Sequence, residues 1–446
     1  MKRAHDRNAP ACAAIAASVF VALLTVPDVR GAPDAIAWER AIRVASGEAH
    51  RGEWRQNDSD YRWVDDPAVS IANDGSVALA WIDQSRKDVF FQGFGRDGKP
   101  TLPAAVNVSR SGSTLTWLPR VLVAPGDPRQ VFVLWQEIVF SGGSHGGEIF
   151  FARSSDGGRT FDAPVNLSNS PAGDGKGRLS EKVWDNGSLD LARTEGGAII
   201  AAWTEYEGAL WVRRSNDGKT FEPALRLSGD AKAPARAPSL ATGPNDAAYV
   251  AWTVGEQGSA DIHVARSSDG GKTFAAPRVV ATTEGHSDAP RLAVDRQGTV
   301  HAVWAERTKG PAYEVRYARW KGEWFEPSRA LPRGDKESAQ FPKVATDQTG
   351  KVYVLWERYG LEGSRASGLS FTVSPDGGQQ FVAPMAVPEI AGGALGTNGG
   401  EQGMLAQKLA VARDGTIAIA NSTFRASPPS PASHVWLIRG RLRAGK

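Results

Sequence analysis

The chain has 446 residues, of which 41% are hydrophobic and 15 are Trp, so it can bury a sizeable core. Its 49 Gly and 27 Pro indicate many tight turns rather than long helices. The 52 basic and 49 acidic residues almost cancel. A near-neutral balance argues against nucleic acid or an anionic membrane as the main partner.

The first 31 residues have the organisation of a secretory signal peptide. Basic residues precede an apolar stretch from 11 to 26, and small residues follow it. The stretch is too short for a comfortable membrane span. Residues 32–446 are therefore predicted to form a single secreted or periplasmic domain with no membrane span after the signal is removed. The only cysteine, Cys12, lies in the signal, so no disulfide is expected in that domain.

The remaining chain repeats one unit. Each unit begins with two alternating apolar strands joined by a turn, and the second strand ends near a Trp, at positions 81, 135, 203, 252, 304 and 356. The intervals between these Trp residues are 54, 68, 49, 52 and 52 residues. Spacings of this size are typical of one four-stranded β-propeller blade.

A third strand follows in each unit and leads into a recurring turn. The turn occurs as SSDGGRTF (154–161), SNDGKTF (215–221), SSDGGKTF (267–274) and SPDGGQQF (374–381), whereas the first and fifth units carry only the remnants GRDGKP and ARWKGEWF. A short strand beginning near a proline comes next, as expected for the outer edge of a blade.

The last unit lacks its fourth strand. Residues 408–422 and 435–442 supply three strands, and the N-terminal segment 36–44 (IAWERAIRV) has the pattern of the missing outer strand. The sequence therefore predicts an all-β, seven-bladed propeller of four-stranded antiparallel blades, closed by pairing the two chain ends. A six-bladed propeller of sialidase type is the alternative.

The recurring turn matches the Asp-box, and the chain resembles the sialidase-like (BNR repeat) superfamily of β-propellers. The residue chemistry gives the turn a structural role: Ser154 and Asp156 accept hydrogen bonds across it, Gly158 permits a positive φ, and Phe161 packs into the blade. The resemblance implies that these turns lie on the face opposite the ligand site. Their acidic residues are then not catalytic.

The opposite face holds acids, arginines and aromatic residues near the ends of second strands and the starts of first strands. Such a mixture suits sugars, because aromatic rings stack on C–H surfaces and arginines hold carboxylate or sulfate groups. Packing between blades and hydrogen bonds to neighbours are the structural alternatives. The predicted ligand-binding residues are Trp63, Trp117, Trp184, Glu137, Glu205 and Tyr206. The Gly-rich segment 388–407 is either a lid over this mouth or a connection.

The resemblance also implies a catalytic set. Sialidases hold a substrate carboxylate with three arginines and use a Tyr activated by a Glu. On this pattern the candidate arginines are Arg62, Arg120, Arg291 and Arg358; Tyr359 with Glu357, or Tyr206, is the candidate nucleophile, and Asp65, Asp66 or Asp83 the candidate acid. No cofactor and no metal site are predicted.

Three functions remain open. The first is binding of a glycan or other small ligand, the second is a sialidase-type exo-glycosidase that cleaves terminal acidic sugars, and the third is a platform for an envelope protein. Because the scaffold is better preserved than the catalytic signature, binding is ranked first. The protein is expected to be a monomer.

Overall fold

In the computed structural model, regular structure is almost entirely β-strand. The structure describes residues 36–139, 147–169, 189–205, 208–229, 232–255, 260–281, 283, 285–307, 310–321, 324–334, 336–361, 366–388, 406–425 and 431–443. The predicted signal peptide and most of the segment 388–407 lie outside these ranges. Within them, a short 3-10 helix occupies Pro244–Asp246.

The strands follow one another in groups. The N-terminal group is β1 (Ile36–Trp38), β2 (Ile42–Gly47), β3 (His50–Arg51) and β4 (Tyr61–Arg62). Blade 1 contains β5 (Val64–Ile71), β6 (Val77–Asp83), β7 (Asp88–Phe94) and β8 (Val106–Asn107); blade 2 contains β9 (Thr116–Ala124), β10 (Asp127–Glu137), β11 (Glu148–Ser154) and β12 (Val165–Asn166). Blade 3 contains β13 (Leu189–Arg193), β14 (Ile199–Thr204), β15 (Leu210–Ser215) and β16 (Leu225–Ser228); blade 4 contains β17 (Ala235–Thr242), β18 (Ala248–Val254), β19 (Asp261–Ser267) and β20 (Arg278–Ala281).

The remaining three blades repeat the pattern. Blade 5 contains β21 (His286–Val294), β22 (Val300–Arg307), β23 (Glu314–Lys321), β24 (Trp324–Phe325) and β25 (Arg329–Ala330). Blade 6 contains β26 (Glu337–Thr346), β27 (Val352–Gly360), β28 (Ala366–Ser374) and β29 (Met385–Ala386). Blade 7 contains β30 (Leu409–Val411), β31 (Thr416–Arg425) and β32 (Ala432–Leu442).

The blades form a ring. Within each blade the strands pair antiparallel in sequence order, except that β25 of blade 5 pairs with β23 and that β32 of blade 7 also pairs with β1 and β2. The first strands contact one another in the order β5, β9, β13, β17, β21, β26, β30 and back to β5. The chain is a seven-bladed β-propeller, which confirms the predicted seven blades rather than six.

The two chain ends close the ring within blade 7. Strands β1 and β2 both pair antiparallel with β32, with Ile36 opposite Leu442 and Ile42 opposite Leu437. The N-terminal segment therefore supplies the outer strand that blade 7 lacks, as the sequence predicts. Every other described blade draws its strands from one continuous stretch of chain, whereas blade 7 is completed by strands from both chain ends.

The recurring tryptophans are core residues. Trp135, Trp203, Trp252, Trp304 and Trp356 are at most 1% exposed, so they pack inside the molecule and cannot serve as ligand platforms. Packing inside each blade therefore explains why a Trp recurs at this position of the repeat. Full burial of an aromatic side chain is among the larger single contributions to core stability.

The recurring turns join the third and fourth strands and fasten one blade to the next. In the turn of blade 2, Ser154 Oγ accepts from Gly158 N at 2.9 Å, and Asp156 accepts from Thr160 N at 3.0 Å and Thr160 Oγ1 at 2.6 Å. A Cβ on Gly158 would lie 2.0 Å from a ring atom of Phe91 in blade 1. Glycine is required there both by its φ of 83° and by this close approach.

The recurring turns and the hairpins between first and second strands lie at the same end of the propeller. Gly157 N in the blade 2 turn donates to Arg129 O in the β9–β10 hairpin at 2.9 Å. Because the strands alternate in direction, the opposite end holds the starts of the first strands and the ends of the second strands. We call it the open end, and the region where the first strands meet there is the channel collar.

First strands enter the channel collar through a β-bulge. Residues directly before a proline adopt positive φ in five blades: Asp66 (48°), Leu118 (50°), Ala237 (50°), Ala289 (52°) and Phe341 (53°). Such values are uncommon outside glycine, and a bulge re-aims the side chains around it. The residue after the proline begins the regular pairing in blades 1, 4, 5 and 6.

Candidate functional site

The channel collar concentrates charge that is almost wholly removed from solvent. Four cations and four acids meet there from six blades, namely Asp65, Asp66, Arg120, Asp190, Arg291, Lys343, Glu357 and Lys408. Most of these residues are buried, and Asp190 is partly exposed. Buried charges require partners, so their contacts define what the site can do.

Glu357 is the centre of one buried network. Its Oε1 atom lies 2.5 Å from Lys408 Nζ, and its Oε2 atom accepts a hydrogen bond of 2.7 Å from Tyr359 Oη. Lys408 also donates to Asn421 Oδ1 at 3.2 Å. The network links blades 6 and 7, and it holds a tyrosine hydroxyl directly on a carboxylate.

Asp190 is the centre of a second network. Arg120 Nε donates to Asp190 Oδ1 at 3.3 Å, and Leu240 N donates to Asp190 Oδ2 at 2.8 Å. Blades 2, 3 and 4 are therefore joined through one carboxylate. Asp66 acts similarly between blades 1 and 2, since its Oδ2 atom accepts from Leu118 N at 3.1 Å.

Three cations influence one another across the channel. Burial lowers the pKa of Arg120 to about 10, against the opposing effect of Asp190, and the charge of Arg291 lowers it further. Burial also holds the pKa of Lys343 well below its usual range, and the neighbouring charge of Arg291 acts in the same direction. Arg120, Arg291 and Lys343 come from blades 2, 5 and 6, so cationic groups converge near the axis.

Two adjacent acids complete the channel collar. Burial raises the pKa of Asp66 to about 7, and the charge of Asp65 adds to this effect. Burial likewise raises the pKa of Asp65, which accepts a short hydrogen bond from Ser422 Oγ. A carboxyl group with a pKa near neutrality can hold a proton that an ordinary aspartate has lost.

Aromatic rings flank these acids. Trp63 lies 4.3 Å from Tyr61 and 6.5 Å from Trp117 between ring centroids, and Phe424 meets Trp63 edge-on at 6.2 Å. Trp54 packs on Tyr61 at 6.2 Å and is 45% exposed. Trp63 and Trp117 are each three residues before Asp66 and Arg120, so this aromatic cluster borders the channel collar.

The structure separates Arg62 from the other predicted arginines. Arg62 lies on β4 and forms ion pairs with Glu48 at 2.9 Å and Asp60 at 3.2 Å, and its side chain is 43% exposed. Arg120 and Arg291 are buried in the channel collar. The acids that Arg62 contacts, Glu48 and Asp60, belong to the N-terminal segment that precedes blade 1.

The other predicted residues occupy the ends of second strands. Arg358 pairs with Glu337 at 3.7 Å, and Asp83, whose pKa is raised by burial, pairs with Arg86 at 3.6 Å. Glu137 accepts from Trp135 Nε1 at 3.2 Å, the local contact expected of a structural role. Burial raises the pKa of Glu205. Trp184 and Tyr206 lie outside the described residues.

Sequence reasoning did not single out Asp190, Lys343 or Lys408. Lys343 follows Pro342 as Arg120 follows Pro119 and Arg291 follows Pro290, so the proline pattern contained that signal. Asp190 and Lys408 have no such mark, because neither residue directly follows a proline.

Within the parts of the chain that the structure describes, no helix is long and apolar enough to cross a membrane. Across those same ranges, no group of three or more His, Cys, Asp or Glu residues is arranged to hold a metal ion.

Comparison with known proteins supports the β-propeller fold class and no narrower family. No protein-family model matches the chain, and no curated protein matches it in sequence. An ulvan lyase of polysaccharide lyase family PL25 matches at 13% identity and a TM-score of 0.56, over 89% of this chain and 95% of the lyase. The BP39L lectin from Burkholderia pseudomallei matches at 12% identity and 0.53, over 80% and 95%.

A sialidase is also among the matching structures. The Hadza microbial sialidase Hz136 is 15% identical with a TM-score of 0.42, over 66% of this chain and 63% of the sialidase. At such identities a likeness in structure shows a shared fold and does not transfer an activity. The fold places the chain among the β-propellers, whose matched members include carbohydrate-active enzymes and a lectin.

Proposed function

We propose that this protein binds an acidic carbohydrate at the channel collar. The observation that carries the proposal is the convergence of Arg120, Arg291 and Lys343 from three blades. Burial disfavours the charged form of each and lowers its pKa, and the charge of Arg291 adds to this effect at Arg120 and at Lys343. A carboxylate or sulfate bound among them supplies negative charge and accepts hydrogen bonds from guanidinium groups in a site of low dielectric.

The aromatic cluster gives the proposal its preference for sugars over simple anions. Trp63 and Trp117 are buried, at 4% and 7% exposed, and Tyr61 connects them to Trp54, which is 45% exposed. The exposed indole ring of Trp54 presents an apolar face to the C–H surface of a pyranose, while the carboxylate of Asp190 accepts from hydroxyl groups. Export through the signal peptide 1–31 is part of the same proposal, and N-terminal sequencing of the secreted or periplasmic protein tests it.

Titration calorimetry tests the binding proposal. N-acetylneuraminic acid and glucuronic acid are expected to bind, whereas the matching neutral sugars bind at least tenfold more weakly at this site. Arg291→Met is expected to weaken acidic-sugar binding by tenfold or more, because a hydrogen bond to a charged group contributes about 1.5–3 kcal/mol. Arg129→Met is the matched control, since Arg129 lies on the opposite end and pairs with Asp127.

Equal affinity for acidic and neutral sugars, or an unchanged affinity in a folded Arg291→Met protein, would contradict the proposal. Circular dichroism and the unfolding midpoint establish that each variant is folded before its affinity is compared.

A sialidase-type exo-glycosidase is the second candidate, and one contact favours it. The Tyr359 hydroxyl donates to Glu357 at 2.7 Å, the arrangement in which a carboxylate can take the proton of an attacking phenol. Asp66, with a pKa raised to about 7, can donate a proton to a leaving group at mildly acidic pH. Release of fluorophore from a fluorogenic sialoside tests this candidate. Tyr359→Phe is expected to abolish turnover while acidic-sugar binding persists; absence of turnover in the wild type leaves binding as the function.

A further inference from the structure

At the end of the propeller opposite the channel collar, a cavity opens between blades 4 and 5. Its volume is about 270 Å³, and its lining includes Asn245, Tyr249, Arg266, Gln297 and Trp320. Asn245 belongs to the β17–β18 hairpin and Gln297 to the β21–β22 hairpin, so the cavity lies at the end that carries the recurring turns.

The cavity exists because blade 5 lacks the recurring turn. The residue three positions before the second-strand Trp is Phe132 in blade 2 and Ile200 in blade 3. Glycines of the following blade's turn cover both, with hypothetical Cβ atoms 3.1 Å from Phe132 and 2.6 Å from Ile200. In blade 4 the residue at this position is Tyr249. Its neighbour in blade 5 is Trp320 rather than a turn glycine, and the Trp320 ring meets the Tyr249 ring edge-on at 5.7 Å between centroids.

The polar lining is suited to hydroxyl groups. The side-chain amides of Asn245 and Gln297 each both donate and accept, which matches a sugar hydroxyl better than it matches an ion. Among the described residues, neither of these two side-chain amide groups forms a hydrogen bond to another side chain or to backbone. Arg266, which is exposed, lies 6.0 Å from the Tyr249 ring and adds one cation at the rim.

The hairpin that carries Asn245 is fixed in place. Asn245 and Asp246 both adopt a φ of 57°, a costly conformation for two consecutive residues. Contacts to blade 3 hold it, since Asn245 N donates to Glu195 Oε2 at 3.2 Å and Gly196 N donates to Asp246 Oδ1 at 2.6 Å. The amide of Asn245 is thus presented at the cavity by a rigid turn.

We propose that this cavity binds one neutral pyranose unit, as a second carbohydrate site independent of the channel collar. The volume of about 270 Å³ is slightly below the usual range of ligand pockets, about 300–1,000 Å³, so the cavity fits a single ring rather than an oligosaccharide. The amides of Asn245 and Gln297 bind the hydroxyls, and the rings of Tyr249 and Trp320 contact the C–H surface.

Saturation-transfer NMR with the methyl glycosides of neutral hexoses tests this site. The wild type is expected to transfer saturation to at least one glycoside. Asn245→Gly, which keeps the left-handed backbone, and Gln297→Ala are each expected to weaken that affinity about fivefold, the effect of one hydrogen bond. Gln348→Ala is the matched control, because Gln348 lies on the corresponding hairpin of blade 6.

Fluorine NMR of protein labelled with 5-fluorotryptophan locates the bound sugar. The resonance that disappears in Trp320→Phe is expected to shift on addition of the glycoside. Acidic-sugar binding at the channel collar is expected to remain unchanged in Asn245→Gly and Gln297→Ala. The experiment therefore tests the proposed cavity site independently of the proposed collar site. Absence of saturation transfer in the wild type, or an equal affinity in all three amide variants, would overturn the inference.

Discussion

Replacing Lys408 by Met is expected to destabilise the propeller far more than the loss of an ordinary ion pair does. Lys408 Nζ lies 2.5 Å from Glu357 Oε1, and each side chain is only 2% exposed. Methionine preserves the length of the apolar stem but leaves the Glu357 charge buried without its cation. Breaking a buried pair in this way costs about 3–5 kcal/mol of the free energy of unfolding.

The double variant Lys408→Met with Glu357→Gln isolates the charge effect. A glutamine carbonyl still accepts the hydrogen bond from Tyr359, and no unpaired charge remains. We expect the double variant to recover about 2–3 kcal/mol relative to Lys408→Met alone, so that the two substitutions are strongly non-additive.

Urea unfolding, followed by tryptophan fluorescence and circular dichroism, measures both effects. Lys99→Met is the control, because Lys99 pairs with Asp97 at 3.3 Å on the surface with 83% of its side chain exposed. An exposed pair contributes about 0–1 kcal/mol. If Lys408→Met loses no more stability than Lys99→Met, or if the double variant is simply additive, the buried network does not hold blades 6 and 7 together as argued.

Three further predictions concern the collar and the turns. Asp66 has a pKa of about 7 when folded against 3.8 ordinarily, so the native state binds more protons between these values and wild-type stability falls as pH rises through this window. Asp66→Asn removes this fall and is expected to be more stable than wild type at pH 8, by at most about 4 kcal/mol, and equal to it near pH 4; parallel pH profiles of the two proteins would refute this. Gly271→Ala is expected to lower the thermal midpoint, because φ is 85° and a Cβ would lie 2.6 Å from Ile200. Gly298→Ala is the control: its φ of 80° is equally unfavourable, but a Cβ there meets no atom within 4 Å, so the midpoint is expected to fall less. Asp269→Ala is expected to increase proteolysis within residues 267–274, since Asp269 accepts from Thr273 N at 3.0 Å and Thr273 Oγ1 at 2.6 Å; an unchanged cleavage pattern would mean that the turn is held by other contacts.

The sequence was sufficient to predict the ring of blades because the same strand pattern repeats along the chain. The second-strand Trp recurs for packing, and periodic signals of this kind survive without knowledge of any long-range contact. The pairing of the N-terminal segment with the last strand was also predictable, because the last unit lacked one strand and the N-terminus held one without a unit. Both predictions needed only a count of strands per blade.

The site was harder to predict because its residues meet across blades. Arg120 is among the candidate arginines of the sequence analysis, but Asp190, the carboxylate that binds it, lies 70 residues later with no motif around it. Arg62 precedes the first blade in sequence, and the small β3–β4 sheet directs it to Glu48 and Asp60. The contacts of such residues depend on where loops and bulges place them, which local patterning does not encode.

The channel collar combines two tasks. Its carboxylates join neighbouring blades, as Asp190 joins blades 2, 3 and 4, and three of its cations, Arg120, Arg291 and Lys343, are the proposed ligand groups. Buried charges of this kind are a poor source of stability, because desolvation offsets much of their attraction. Well-packed apolar residues would close the ring at least as firmly. A collar of eight charged side chains is therefore better explained by a ligand that interacts with them than by closure alone, and binding of that ligand is expected to raise the unfolding midpoint of the whole ring.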